Sequence, residues 1–543
     1  MPTSPVADLR SALSAVAAEV RGEELAEVPR IERPPKAEFG DYSSNAALLA
    51  APALGEPPRA VAERIGGLLT ERLGEGLERV EVAGPGFLNL FMSNGWCLAA
   101  LGAAMNQDDA FGAGAPEAGE PILVEFVSAN PTGPITVASG RHAAYGDSLC
   151  RILEFAGHLV EREFYVNDHG SQVRLFGESI QARARGEEPP EGGYKGEYVT
   201  DLADRIDGAA GADPDALATR GVELMLEGVR ASLERFGVRF NRFFSERSLH
   251  EGGAVGTVSG LLEERQEVYS HEGALWLRTT THGDDKDRVL ERSSGELTYF
   301  ATDIAYHRDK LERGYVRSID VLGADHHGYV GRMRAAWIAL GGEPERLEFL
   351  IMQLVNLMEH GRRVPMSKRE GEFVTLDDLI DDIGVDAARY FLVQRSHDTT
   401  LDLDLALARE RSQDNPVYYV QYAHARIASI LRKAGDAPVA EAVARDLTAS
   451  TEILHPSARA LLKRLLELPE EVALAAERRA PHRLTVYGHD VAHDFSAFYR
   501  DCRVVGAAEE GGDEGLRIAT CILAKRVLAR SLHLLGVSAL EEM

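Results

Sequence analysis

Residues Ile122 to Asp147 read ILVEFVSANPTGPITVASGRHAAYGD. The apolar run Ile122–Val127 has the length of a buried strand, and the turn residues Asn130-Pro131-Thr132-Gly133-Pro134 end it. Beyond Ser139 and Gly140, residues Tyr145, Leu149, Ile152 and Ala156 recur at helical spacing on one face. Strand, turn and helix in that order open a Rossmann-type unit, so an α/β fold with a parallel sheet is expected. The turn sits at a helix N-terminus, where unpaired backbone N–H groups and the helix dipole favour an anion such as a nucleotide phosphate. On geometry alone, a buried βα unit without a ligand is an equally good reading.

The residues within the unit narrow it. Val124 to Pro134, VEFVSANPTGP, resembles the approach to the signature motif of class I aminoacyl-tRNA synthetases, and of bacterial arginyl-tRNA synthetases in particular. That family continues His-Val-Gly-His. This chain continues Thr136-Val137-Ala138-Ser139, with neither imidazole and with a methyl group where the family's glycine lets adenine approach the backbone. The resemblance implies an ATP site at Pro134, Ala138, Gly140 and His142. Thr136 and Ser139 offer catalytic hydroxyls at the two histidine positions, and His142, with Arg141 beside it, is expected within reach of the phosphates.

Bulk properties set the frame. At 543 residues the chain has room for about three domains. Its 45% hydrophobic and 27% charged residues are those of a globular protein. No apolar run is long enough for a membrane helix, so no membrane partner is expected. The first residues, Met1 to Asp8, lack the basic and apolar segments of a secretory leader, and a cytoplasmic location is expected. Four cysteines without a CxxC pair read as buried thiols rather than disulfides or a zinc site. A net charge of −27 argues against a general nucleic-acid coat, although local Lys/Arg clusters can still bind tRNA.

Residues 1–110 read as a separate α+β domain. Leu9, Leu13, Val16 and Val20 recur at helical spacing, Phe39 to Asn45 caps a second helix, and Val80 to Phe91 reads as a hairpin turning at Gly84-Pro85-Gly86. FGDYSSNAAL and VEVAGPGFLNLF resemble the family's additional N-terminal domain, which implies contact with the tRNA elbow. A linker at 106–120 leads to a catalytic unit over 121–404, with an insertion at about 186–290. Leu159–Val166 reads as its second strand, running into Asn167-Asp168-His169-Gly170. From 405 to 543 amphipathic helices follow, marked by Leu461, Leu462, Leu465 and Leu466, then Phe495, Phe498 and Tyr499, then Ile518, Ile522 and Val527. Asp414 to Ile427, DNPVYYVQYAHARI, resembles the family's anticodon-binding bundle, where a few aromatic and Arg side chains are expected to stack on bases.

Three further segments carry chemistry. Tyr299 and Asp303 are four apart and share one face of a helical turn; a phenol and a carboxylate together suit the planar donor fork of a guanidinium. Ile319–Leu322 followed by Gly323-Ala324-Asp325 places a carboxylate at the end of a parallel strand, where α/β sheets bind ligands. His326 and His327 follow without the partners a zinc site needs. Gly361 to Arg369, GRRVPMSKR, resembles the mobile KMSKS loop, with Pro365 at the first lysine and Lys368 at the second. The resemblance implies that Met366, Ser367 and Lys368, with Gly323 and Asp325, contact ATP, Lys368 catalytically. It also implies that Glu125 and Asn130 hold the amino end of arginine, and that Ser128, Tyr299, Asp303 and His326 complete the arginine site.

The reading is therefore arginyl-tRNA synthesis from L-arginine, tRNA(Arg) and ATP, with substrate-borne Mg²⁺ and no tightly bound metal, by a monomer. The alternative is an impaired paralogue that binds tRNA or arginine in a regulatory role, a reading that Pro365 and the altered motif favour.

Overall fold

The computed structural model describes residues 4–114, 119–365, 367–369 and 372–543. Five strands form one parallel sheet: β1 Pro121–Glu125, β2 Leu159–Val166, β3 Arg242–Ser245, β4 Arg317–Gly323 and β5 Leu347–Met352. Their order across the sheet is β5-β4-β1-β2-β3. The chain runs outward from β1 to β3, then returns to the other side of β1. Between β1 and β4 the connections leave in opposite directions, and a crevice opens at the carboxyl ends of the two strands.

β1 ends two residues earlier than the apolar run predicts. Val127 (φ 69°) and Ser128 (φ 40°) are both left-handed, a conformation that costs a β-branched residue most and that commonly marks functional sites. Helix α1, Val137–Phe155, follows. It is buried nearly all round rather than on one stripe, because it lies between the sheet and the C-terminal helices. Asp147 of α1 accepts a hydrogen bond at 2.7 Å from the buried Arg389, whose other donors reach the carbonyls of Phe236 and Leu535. One guanidinium thus joins α1, the crossover before β3 and the chain's last helical turn.

The β2–β3 crossover carries helices Ser171–Ala184, Glu197–Arg205 and Pro214–Arg235 over their own small core. After β3 a three-stranded antiparallel sheet (Val268–His271, Ala274–Leu277, Arg288–Glu291) precedes helix α2, Tyr299–Glu312. The N-terminal part is a four-stranded antiparallel sheet with four α-helices, and its hairpin pairs Val82 with Leu88. Asn45 precedes helix Ala46–Leu54, but its Oδ1 accepts the Arg30 N–H at 2.9 Å instead of capping that helix. The last third is helical, with Pro416–Ala434, Pro456–Leu466, His482–Asp501 and Glu514–Leu534 as its long members. Among the described residues no helix is long and apolar enough to cross a membrane.

The N-terminal part docks on the helical one through buried charge. Asp41, in the FGDY segment, accepts from Arg459 at 2.8 and 2.5 Å and from the Met92 N–H at 2.8 Å, and it pairs with Lys463 at 3.1 Å. Burial pushes its carboxyl up, but Arg459 and Lys463 outweigh burial and hold it below the usual range. Removing one partner of a buried pair costs about 3–5 kcal/mol, so Asp41→Asn is expected to lower the thermal midpoint measurably. An unchanged midpoint would mean that the docking rests on other contacts.

Candidate active site

The crevice floor is the first turn of α1. Thr136 is its N-cap: Oγ1 accepts the Ser139 N–H at 3.3 Å and lies 3.3 Å from Ser139 Oγ. The same residue bridges to Thr375, while the Val137 N–H donates to Val374 O and the Leu376 N–H donates to Ile135 O. The altered motif is therefore fastened to the segment that follows the loop carrying Lys368. Pro134 and Ala138 are exposed at the turn. Gly140 is buried: a Cβ there would lie 2.8 Å from Leu376 Cδ1, so this glycine serves helix packing rather than the nucleotide contact expected of it.

Arg141 also turns away from the crevice. It is fully buried and donates to the carbonyls of Gln353, Leu354, Ser396 and Thr399, so it cannot join His142 at a phosphate. His142 faces inward, its Cε1 3.9 Å from where a Gly323 Cβ would stand, within the fields of Asp325 and His326. Burial first, then Arg141, push the His142 imidazole down to about 4, so at neutral pH it is an uncharged donor–acceptor. Gly323 closes β4; a Cβ there would lie 2.6 Å from Asp325 Oδ1. Asp325 and His326 are exposed at the mouth, 3.6 Å apart, with His326 edge-on to Tyr329. Met366 lies outside the described residues, as do the side chains of Ser367 and Lys368; strand Ser367–Arg369 pairs with Glu372–Phe373.

Beside the crevice lies an acidic pocket. Glu125, the last residue of β1, is buried; Ser128 donates to its Oε1 at 2.8 Å, which the left-handed turn makes possible, and Lys310 donates to its Oε2 at 2.5 Å. Ser128 Oγ also accepts the Tyr165 N–H at 3.1 Å. Asn130, exposed on the rim, accepts from Asn167 at 3.2 Å. On α2, Tyr299 is 64% exposed and leans over Gly170, while Asp303 points inward. Burial pushes Asp303 up to about 6; His307, Arg332 and Tyr329 oppose the rise and Glu125 adds to it. Glu246, directly after β3, is buried and pushed up to about 7 by burial, then by Asp303 and Asp168, against a hydrogen bond with Tyr165. Asp168 is held by Ser245 at 2.6 Å and by the Arg247 N–H at 2.9 Å. Asp303 and Glu246 are thus both held toward the neutral form in a shielded pocket, which is the environment that rewards an added cation.

Sequence reasoning missed Glu246, Tyr165, Tyr329 and the Lys310 group. The signal for Glu246 was present: RFFSE ends an apolar strand on a carboxylate, as Gly323-Ala324-Asp325 does after β4. Lys310 carried no local signal, since a helical lysine ordinarily reads as solvated.

Residues 7–92 match the family model for the arginyl tRNA synthetase N terminal domain, and residues 420–543 match that for the DALR anticodon binding domain. The chain is 45% identical to an arginine–tRNA ligase of Moorella thermoacetica over 551 aligned positions, covering 98% of this chain and 97% of that one. It is also 45% identical to an arginine–tRNA ligase of Kineococcus radiotolerans across the whole length of both. Among solved structures it is similar to Thermus thermophilus arginyl-tRNA synthetase, with a TM-score of 0.78 and 25% identity over 98% of this chain and all of that one.

Proposed function

We propose that this chain, which belongs to the arginine–tRNA ligase family, activates L-arginine with Mg-ATP and passes it to the 3′ end of tRNA(Arg). The observation that carries the reading is the acidic pocket of Glu125, Asp303 and Glu246 set against an anion-favouring helix end. A guanidinium entering it meets Asp303 and Glu246, with Tyr299 over it; the substrate ammonium meets Glu125, whose oxygens each keep an acceptor site after Ser128 and Lys310 are satisfied. Full-length relatives at 45% identity favour the ligase over an impaired paralogue.

The chemistry needs no protein nucleophile. A carboxylate oxygen of arginine attacks the α-phosphorus of ATP; that bond forms as the one to the β-phosphate oxygen breaks, and pyrophosphate leaves with the electron pair. The terminal ribose hydroxyl of tRNA then attacks the activated carbonyl and expels AMP, which takes up the hydroxyl proton. The protein contributes position and charge. The first turn of α1, Ser139 and His142 face the phosphates, Thr136 shapes that turn, and Lys368 meets the departing pyrophosphate. Gly323 and Asp325 border the nucleotide, and His326 lies at the pocket mouth. Residues 1–110 and 405–543 hold the tRNA around the catalytic unit at 121–404; the insertion expected at about 186–290 is not one block, since β3 at Arg242–Ser245 belongs to the catalytic sheet. In the helical part, Arg426 lies 4.8 Å over Tyr422 and 5.0 Å over Tyr499, a surface suited to a base. The protein acts as a cytoplasmic monomer.

The test is exchange of label between pyrophosphate and ATP in the presence of tRNA. Exchange is expected with arginine and not with lysine, whose point charge cannot engage two carboxylates as a planar fork does. The pH dependence has a definite sign. Arginine binds the ionised pocket, so KM for arginine rises as pH falls through about 7 and then about 6. Without arginine the linkage runs the other way: both carboxyls hold protons more tightly when folded, so their contribution to stability falls as pH rises through the same window. Exchange with lysine, or a flat arginine KM from pH 5.5 to 8, would overturn the pocket assignment.

A further inference from the structure

The buried groups beneath the pocket form one connected set. Asp320 on β4 and Glu125 on β1 are direct partners in the parallel register, two carboxylates side by side in the sheet. Like charges so placed repel unless a cation joins them. Lys310, its side chain wholly buried, supplies the cation: Nζ donates to Glu125 Oε2 at 2.5 Å and to Asp320 Oδ1 at 2.7 Å. Asp320 Oδ2 accepts from His307 Nε2 at 3.0 Å, and His307 Nδ1 donates to the Asp303 carbonyl at 2.8 Å. Asp303, His307 and Lys310 lie at positions i, i+4 and i+7 of α2, so one helix face is bolted onto two strands.

Burial pushes the Lys310 ammonium down, but Asp320 and Glu125 outweigh it and hold the group charged. Burial pushes Asp320 up, and Lys310 with His307 more than offset that. The set is satisfied within itself. A buried ion pair is a poor source of net stability against an apolar core, and its best-attested use is to fix register. Here the register fixed is that of Glu125 relative to α2, which carries Tyr299 and Asp303.

We propose that Lys310 is a positioning residue that sets the distance between the ammonium-binding carboxylate Glu125 and the guanidinium-binding carboxylate Asp303, and so gauges the side-chain length of the amino acid. The proposal rests on the assignment of those two carboxylates to the two ends of arginine. Loss of the Lys310 bridge frees Glu125 from α2, and the pocket then loses its preference for the one spacing that arginine fits.

The test compares Lys310→Met with the unaltered protein in charging tRNA with arginine and with homoarginine, which is one methylene longer. The KM for arginine is expected to rise about tenfold or more, and the arginine-over-homoarginine ratio of kcat/KM to fall about tenfold, with the KM for ATP unchanged. A structural defect alone would lower kcat for both amino acids and leave their ratio intact, and that result would overturn the proposal. Should Lys310→Met fail to fold, the double variant Lys310→Met/Asp320→Asn restores charge balance. It is expected to fold and to show the same loss of discrimination, and full discrimination in it overturns the proposal. If the unaltered protein charges no arginine, the underlying assignment fails; if it charges arginine and the variants keep its discrimination, only the gauge fails.

Discussion

Asp303→Asn is expected to lower kcat/KM for arginine by roughly 30- to 5,000-fold, because truncating one member of a buried charge pair costs about 2–5 kcal/mol. The loss falls on the arginine KM and on kcat, while the KM for ATP is unchanged, since Asp303 faces the amino-acid pocket and not the helix end. Asp303 is the residue to replace because burial holds it up to about 6 despite His307 and Arg332, so an incoming guanidinium adds to the stabilisation of its charge. Glu246 shares the pocket, and the Asp303 carboxyl adds to the rise that burial gives it. Glu246→Gln removes the carboxyl held up to about 7 and leaves Asp303 at about 6, so the pH dependence of the arginine KM is expected to move to lower pH. Steady-state charging across pH 5.5–8 measures both effects. Near-normal arginine kinetics in Asp303→Asn would place the guanidinium elsewhere.

His142→Ala is expected to lower the rate of adenylate formation by about 10²- to 10³-fold, the usual cost of removing one preorganised donor from developing charge. The altered motif supplies no imidazole at Thr136 or Ser139, and Thr136 Oγ1 is already occupied as a helix cap. The inward-facing imidazole in this stretch is that of His142, one turn further along α1 and 3.9 Å from the Gly323 Cβ position. Because His142 is neutral above about pH 4, this rate is expected to show no titration of His142 between pH 6 and 8. Ser139→Ala should cost less, since the backbone N–H groups of the turn remain. Single-turnover measurement of adenylate formation separates these effects from tRNA binding. A normal rate in His142→Ala would leave phosphate binding to the helix end and Ser139.

The fold was legible because its signals are local. The apolar run before Glu125, the Asn130–Pro134 turn and the helical spacing after Ser139 each show in a few residues, and Leu159–Val166 appears as the strand that was read. Tyr299 and Asp303 were legible for the same reason, being one helical turn apart. Roles set by long-range packing were not. Gly140 and Arg141 sit in the motif, yet Leu376 and the carbonyls at 353–354 and 396–399 decide what they do. Glu246 meets Asp303 only once β3 and α2 are brought together, 57 residues apart in the chain. Lys310 reads as a surface lysine until the register of β1 and β4 places two carboxylates beneath it.

The most direct measurement is the rate of arginyl-tRNA formation by the unaltered chain beside the triple variant Thr136→His/Ala138→Gly/Ser139→His, which installs the family's usual motif. The unaltered chain is expected to charge tRNA(Arg) at least as fast as the variant: in the proposed mechanism His142 and the capped helix end face the phosphates, and two added imidazoles would crowd them. No charging by the unaltered chain, together with recovery in the variant, would contradict the account and mark the altered motif as a lost activity.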